Sequence, residues 1–257
     1  MPTVGELTDP NISMYVPVPP AGDGICRTCH NASPLGAYCP SCNRTRGGVE
    51  HPVELVIPIS LTRKDKERQL YDVLRGYKGS PDADVRWQHQ LHIAAILYRF
   101  LHWHEAHINA AAGIDFDTIT IVPSKSGREG QHPLEAAINL VKPLREHYVS
   151  MLVPGPGVIG RNEPAADGFV SATEVNGRAV LLIDDTFTTG AKVQSAAHAL
   201  KLAGNEVVAA LVLGRLVDVQ EPGEETAPHI AELMRARGEL WRRQAAQEFS
   251  FDTCCLE

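Results

Sequence analysis

The chain has 257 residues, 44% hydrophobic and 21% charged, and its 24 Lys and Arg against 31 Asp and Glu give a formal charge of −7. This is an ordinary globular composition with enough length for a large core, which excludes disordered, collagenous and fibrous classes. No run of about 18 apolar residues occurs and the N-terminus lacks a basic-then-apolar leader, so a cytoplasmic protein without a membrane partner is expected; the charge also disfavours a broad nucleic-acid footprint.

Residues 1–24 are rich in Pro and Gly and show no amphipathic period, so a flexible, extended tail is expected there. Residues 25–48 form a compact module. Within it Cys26-x2-Cys29 and Cys39-x2-Cys42 are two knuckles nine residues apart, and four thiolates satisfy a tetrahedral Zn²⁺. A redox pair or two disulfides are the competing readings, disfavoured by a reducing compartment and by the doubled spacing. So short a segment has few apolar residues, so metal ligation would supply much of its folding energy. Arg27, Arg44 and Arg46 are weak evidence for nucleic acid and better suit a solvated face. Gly47-Gly48 then suggests a hinge, and residues 49–257 form the main domain.

From residue 50 apolar strands alternate with helical stretches, the pattern of an α/β fold with a parallel sheet flanked by helices. Strands are expected at 53–59, 118–122, 178–183 and 206–216, and helices at 63–79, 85–111, 134–148, 191–202 and 231–247. The run Arg178-Ala-Val-Leu-Leu-Ile183 is the strongest strand, because continuous aliphatic residues suit burial on both faces.

That strand leads into Asp184-Asp185 and then the turn Thr186-Phe187-Thr188-Thr189-Gly190 at the start of a helix. Ligands of open α/β sheets bind at this edge, and successive N–H groups with a positive helix end make a phosphate cradle. Paired acids would repel an anion unless they faced sugar hydroxyls or a divalent cation. A phosphorylated ribose with Mg²⁺ meets both demands. A phosphatase of the Asp-x-Asp type needs spaced acids, and the lysine of a P-loop is absent.

The stretch Val180 to Gly190 resembles the signature of the type I phosphoribosyltransferases. The resemblance implies that Asp184 and Asp185 contact the ribose hydroxyls of phosphoribosyl pyrophosphate and that Thr186, Phe187, Thr188, Thr189 and Gly190 hold its 5′-phosphate. It also implies a pyrophosphate loop at Ser124-Lys125-Ser126-Gly127-Arg128, after the 118–122 strand. The four-cysteine module, Arg75-Gly76-Tyr77-Lys78-Gly79 and Asp167-Gly168-Phe169 resemble the ComF-like (competence protein F) subgroup, over roughly residues 24–216. Lys192 departs from it, standing where a threonine is common, as does the Gly- and Pro-rich segment 154–164. That segment is expected to be a mobile loop over the substrate, with Arg161 its functional candidate.

The implied activity is transfer of phosphoribosyl to a nitrogen nucleophile, a base or amine, with release of pyrophosphate. Mg²⁺ would accompany the substrate, and zinc would be structural. The rivals are a non-catalytic sensor of phosphoribosyl pyrophosphate and a nucleic-acid adaptor in DNA uptake.

His89, His92, His104 and His107 fall near one face of the 85–111 helix, and His104 with His107 could share a metal. No third ligand is identifiable from the sequence, so packing with solvated imidazoles is favoured. Cys254-Cys255 reads as a frayed tail. Ile230, Leu233, Met234 and Trp241 form a stripe suited to the core or to a homodimer contact.

Overall fold

Val180, Leu181, Leu182 and Ile183 are all fully buried, as a strand covered on both faces must be. The computed structural model describes residues 3–64, 70–124 and 130–257. In it, β1 (Val56–Thr62), β2 (Thr118–Ile121), β5 (Ala179–Phe187) and β6 (Glu206–Leu216) form one sheet in the order β1-β6-β5-β2, every neighbour parallel. A separate antiparallel pair joins β3 (Leu152–Pro154) to β4 (Phe169–Ser171). The α/β class expected from the alternating pattern is therefore observed.

Helices connect the parallel strands. After α1 (Val4–Thr8) and α2 (Pro40–Gly47), α3 (Leu70–Gly79) and α4 (Ala83–Ala112) lie between β1 and β2. α5 (Pro133–Asn139) and α6 (Lys142–His147) follow β2, α7 (Ala191–Leu202) links β5 to β6, and α8 (Pro228–Ala245) comes last. α4 is delimited by local chemistry: the Asp82 carboxylate accepts the N–H groups of Asp84 (2.8 Å) and Val85 (3.3 Å), and Gly113 closes the helix at φ 73°.

Alternation along the strands divides the side chains between two cores. Ile57, Ile119, Leu181, Ile183 and Leu211 pack with residues of α3, α4 and α5 on one face. Val56, Val180, Leu182, Ala210 and Val212 pack on the other with Val193, Ala196 and Leu200 of α7, and with all four cysteines of residues 26–42. Each such aliphatic side chain contributes roughly 1.5–3 kcal/mol on burial. The cysteine segment thus shares a core with the sheet.

Several elements differ from expectation for identifiable reasons. The first residues are structured from Thr3 on. Thr3 and Glu6 form a capping box, Tyr15 and Val16 are buried, and the Val16 N–H donates to Ser60 Oγ at 2.8 Å. The stretch 134–148 is two helices, because Val141 is extended and Pro143 opens α6, where it cannot supply a continuing helical N–H. β5 runs on through the acids to Phe187. Residues 65–69 of the expected 63–79 helix lie outside the described residues; α3 covers its second half. The C-terminal segment is not frayed: Phe251 and Cys255 are buried in the α4 core. Leu233 and Trp241 of α8 are buried too, whereas Ile230 is exposed. Among the described residues no helix is long and apolar enough to cross a membrane.

Candidate functional site

The C-terminal ends of β1, β5 and β6 open into a cleft of about 1820 Å³, lined by Asp184 to Val193, the α3 end, Ser124, the 159–161 segment and Asp218. That exceeds the usual small-ligand pocket of about 300–1,000 Å³.

Strand alternation separates the two acids. Asp185 is buried, and its Oδ2 accepts the Tyr77 hydroxyl and pairs with the Lys78 ammonium, both at the end of α3. Asp184 is half-buried; its Oδ1 accepts the Asp185 N–H at 2.9 Å. Burial pushes its carboxyl up to about 6, against the pull of Lys78 and Lys192. One acid is thus neutralised by a lysine, while the other carries a poised charge at the cleft.

The turn that follows is built for close approach. Gly190 has φ +90°, and a Cβ there would lie 2.4 Å from the Phe187 ring, so both backbone and space demand glycine. Among the described residues no side chain caps α7, whose N-cap is Gly190. Its first N–H groups and positive dipole end are therefore turned to the cleft, where Thr186 and Thr189 are half-buried and Thr188 and Lys192 exposed.

Behind this turn lie the four cysteines. All are fully buried and none is in a disulfide; their sulfurs lie within 4.8 Å of one another, so together they could hold a metal ion. Cys29 and Cys39 Sγ are 3.7 Å apart. A tetrahedral ion with bonds of about 2.3 Å sets sulfurs about 3.75 Å apart, so the spacing fits. Hydrogen bonding with the other three thiols pulls Cys26 far below the usual range, and the same mutual bonding, with burial, holds Cys42 far above it. Such a set accumulates charge only against a cation.

Arg215 of β6 joins the two features. It is fully buried, and its charge faces Cys29, Cys39 and Cys42. Its Nη1 donates to the carbonyls of Phe187 (3.0 Å) and Thr188 (2.9 Å). Thr45 of α2 adds a hydroxyl on the Thr189 carbonyl at 3.4 Å. Gly48, the expected hinge, is packed instead, since a Cβ there would meet Pro164 at 2.7 Å.

The segment after β3 does not hang free. Gly155 and Gly157 N–H groups donate to Gly168 and Asp167 carbonyls, Ala165 N–H to Ser195 Oγ (2.9 Å), and Asn162 N–H to Thr189 Oγ1 (3.4 Å). It forms a folded wall of the cleft, with Arg161 exposed on the rim, 3.7 Å from Asp218. Lys125, Ser126, Gly127 and Arg128 lie outside the described residues; Ser124 lines the cleft.

Sequence reading placed Asp184, Asp185 and the 186–190 turn, and the structure brings them together at one edge. It passed over Tyr77 and Lys78 as site residues, although Arg75-Gly76-Tyr77-Lys78-Gly79 was noted, and it missed Arg215. A lone arginine inside the aliphatic strand 206–216 was the available signal.

No protein-family model matches this chain, and no curated protein sequence matches it.

Proposed function

We propose that the chain is a type I phosphoribosyltransferase-like protein that binds phosphoribosyl pyrophosphate, and that its four cysteines hold a structural Zn²⁺. The observation carrying this reading is the end of β5: two acids, one neutralised by Lys78, run directly into an uncapped helix N-terminus whose Gly190 admits a close anion. The Asp184 carboxylate would accept ribose hydroxyls, and the N–H groups and hydroxyls of residues 186–190 would hold the 5′-phosphate. Lys192 and Arg161 supply positive charge nearby, with Lys125 and Arg128 further candidates for the pyrophosphate.

The reaction forms a bond from an acceptor nitrogen to the anomeric carbon and breaks the bond from that carbon to pyrophosphate, which leaves with the electron pair. Catalysis rests on positioning and on neutralising the leaving group. Asp184 would be the residue to hold Mg²⁺, which would offset the charge on the leaving group. Its carboxylate fits that role as an oxygen donor facing the cleft, whereas Asp185 Oδ2 is already engaged by Lys78 and Tyr77.

A sensor without turnover is the second reading, favoured by the Arg215 and Thr45 links from the phosphate turn to the cysteine cluster. Titration calorimetry with phosphoribosyl pyrophosphate and Mg²⁺ tests both. Wild type should bind and Asp184→Asn/Asp185→Asn should not; silence from a folded wild type overturns both. Pyrophosphate release across a panel of bases and amines then separates transferase from sensor.

A further inference from the structure

A second cluster of ligand side chains lies outside the cleft, built from parts of the chain that sequence reading treated separately. His104 and His107 of α4 meet Cys254 and Glu257. The four ligand atoms lie within 4.8 Å of one another. None of the four residues lines the cleft, and the cysteine-rich cluster packs on the other sheet face.

The cluster is organised as a ligand set. His104 is buried, and its Nε2–H donates to the Phe251 carbonyl at 2.8 Å. That bond fixes the tautomer and leaves the Nδ1 lone pair facing the cluster, an arrangement typical of a metal-binding histidine. His104 Nδ1 lies 3.3 Å from His107 Nδ1; Glu257 Oε1 lies 3.0 Å from His107 Nδ1 and 3.8 Å from His104 Nδ1. A tetrahedral ion with bonds of about 2.0–2.1 Å sets such ligands about 3.3 Å apart. The segment bearing Cys254 and Glu257 is held in register from both sides. Phe251 is buried against Tyr15 and Phe249, at ring distances of 5.3 and 5.0 Å, and Cys255 is buried in the core.

We infer that His104, His107, Cys254 and Glu257 form a second metal site for a divalent transition ion of the zinc class, which clips the C-terminal segment to α4. Two neutral imidazoles, one thiolate and one carboxylate balance the two charges of such an ion, and binding releases the Cys254 thiol proton to solvent. The nitrogen and sulfur donors select against Mg²⁺ and Ca²⁺, which take oxygen. With His107 and Glu257 about half exposed, the ion can exchange with solution.

The test is metal stoichiometry of the full chain at equilibrium with Zn²⁺, for wild type, His107→Ala, Cys254→Ser and Glu257→Gln. The altered side chains are partly exposed, and circular dichroism verifies that each variant folds. His107→Ala and Cys254→Ser should each hold one zinc ion fewer per chain than wild type, and Glu257→Gln should bind that ion more weakly. With Co²⁺ the thiolate charge-transfer absorption should fall in Cys254→Ser. Equal stoichiometry and affinity in all four proteins overturns the site. Because the readout is a difference between variants, it stands apart from loading of the other cysteines and from ligand binding in the cleft.

Discussion

The two ligand clusters occupy opposite situations in the fold. Cys26, Cys29, Cys39 and Cys42 come from one short segment, are wholly buried, and share a core with β5 and α7. His104, His107, Cys254 and Glu257 join α4 to a segment some 147 residues further on, and only His104 among them is fully buried. The first cluster is wired to the cleft through Arg215 and Thr45, and among the described residues the second has no such link. An ion in the first would sit inside the core that the cysteines share with β5 and α7, whereas an ion in the second would fasten an element already docked by Phe251. Disturbing the first should therefore reach the cleft.

The largest effect follows from removing the first cluster's ligands. Cys39→Ser/Cys42→Ser should cost about 5 kcal/mol, because two hydroxyls would replace the sulfurs of a wholly buried cluster and the proposed ion would lose half its ligands. Thermal unfolding monitored by circular dichroism should report it, and binding of phosphoribosyl pyrophosphate should vanish together with the zinc. A folded double variant with unchanged affinity would break the proposed coupling.

Arg215→Met isolates the link. Four thiolates around one divalent ion leave two negative charges in the core, and Arg215 is the buried cation facing them. Its loss should cost about 3–5 kcal/mol, and Arg215→Lys should recover only part, since the shorter ammonium side chain does not reproduce the position of Nη1 between the Phe187 and Thr188 carbonyls. Denaturant titration with and without a chelator measures this; the Arg215→Met penalty should shrink when the ion is removed. Gly190→Ala is smaller. A residue forced to φ +90° against the Phe187 ring should lose about 2–3 kcal/mol, with ligand affinity falling as the turn shifts.

The contrast also explains what the sequence could disclose. Cysteine knuckles, the Asp184 to Gly190 run and the aliphatic stretch 180–183 are local, and local spacing dictates their chemistry. β5 and β6 were legible for the same reason, since burial on both faces leaves long aliphatic runs; β1 lies three residues later than the expected 53–59, and the short β3 and β4 carry no such run. Relations across the fold were not. Tyr77 reaches Asp185 over 108 positions, and Arg215 faces cysteines drawn from the other end of the chain. The His104 cluster was half visible, as two histidines on one helix face, but its remaining ligands depend on where Phe251 docks. Pro143 was the overlooked local signal, dividing the expected 134–148 helix in two.

The smallest effect separates the cleft's own strain from that of the cysteine cluster. An unfolded chain releases the Asp184 proton near the ordinary value of 3.8, while the fold retains it up to about 6. Across that interval the folded state carries the extra proton, so this residue's contribution falls as pH rises from about 4 to about 6 and stays low above. Asp184→Asn removes the dependence. The variant should match wild type below about pH 4 and exceed it at pH 7 by about 1–2 kcal/mol, the roughly 3 kcal/mol of the full shift being reduced by solvent at the half-buried side chain, a rise of a few degrees in Tm, while losing the ribose ligand. The gain should persist when either ligand cluster is stripped of metal, because its cause is burial of one carboxylate. A Tm difference that stays flat with pH would mean that Asp184 is already well solvated. The carboxylate would then already be charged and hydrated at neutral pH, and a sugar hydroxyl would relieve no desolvated charge on binding.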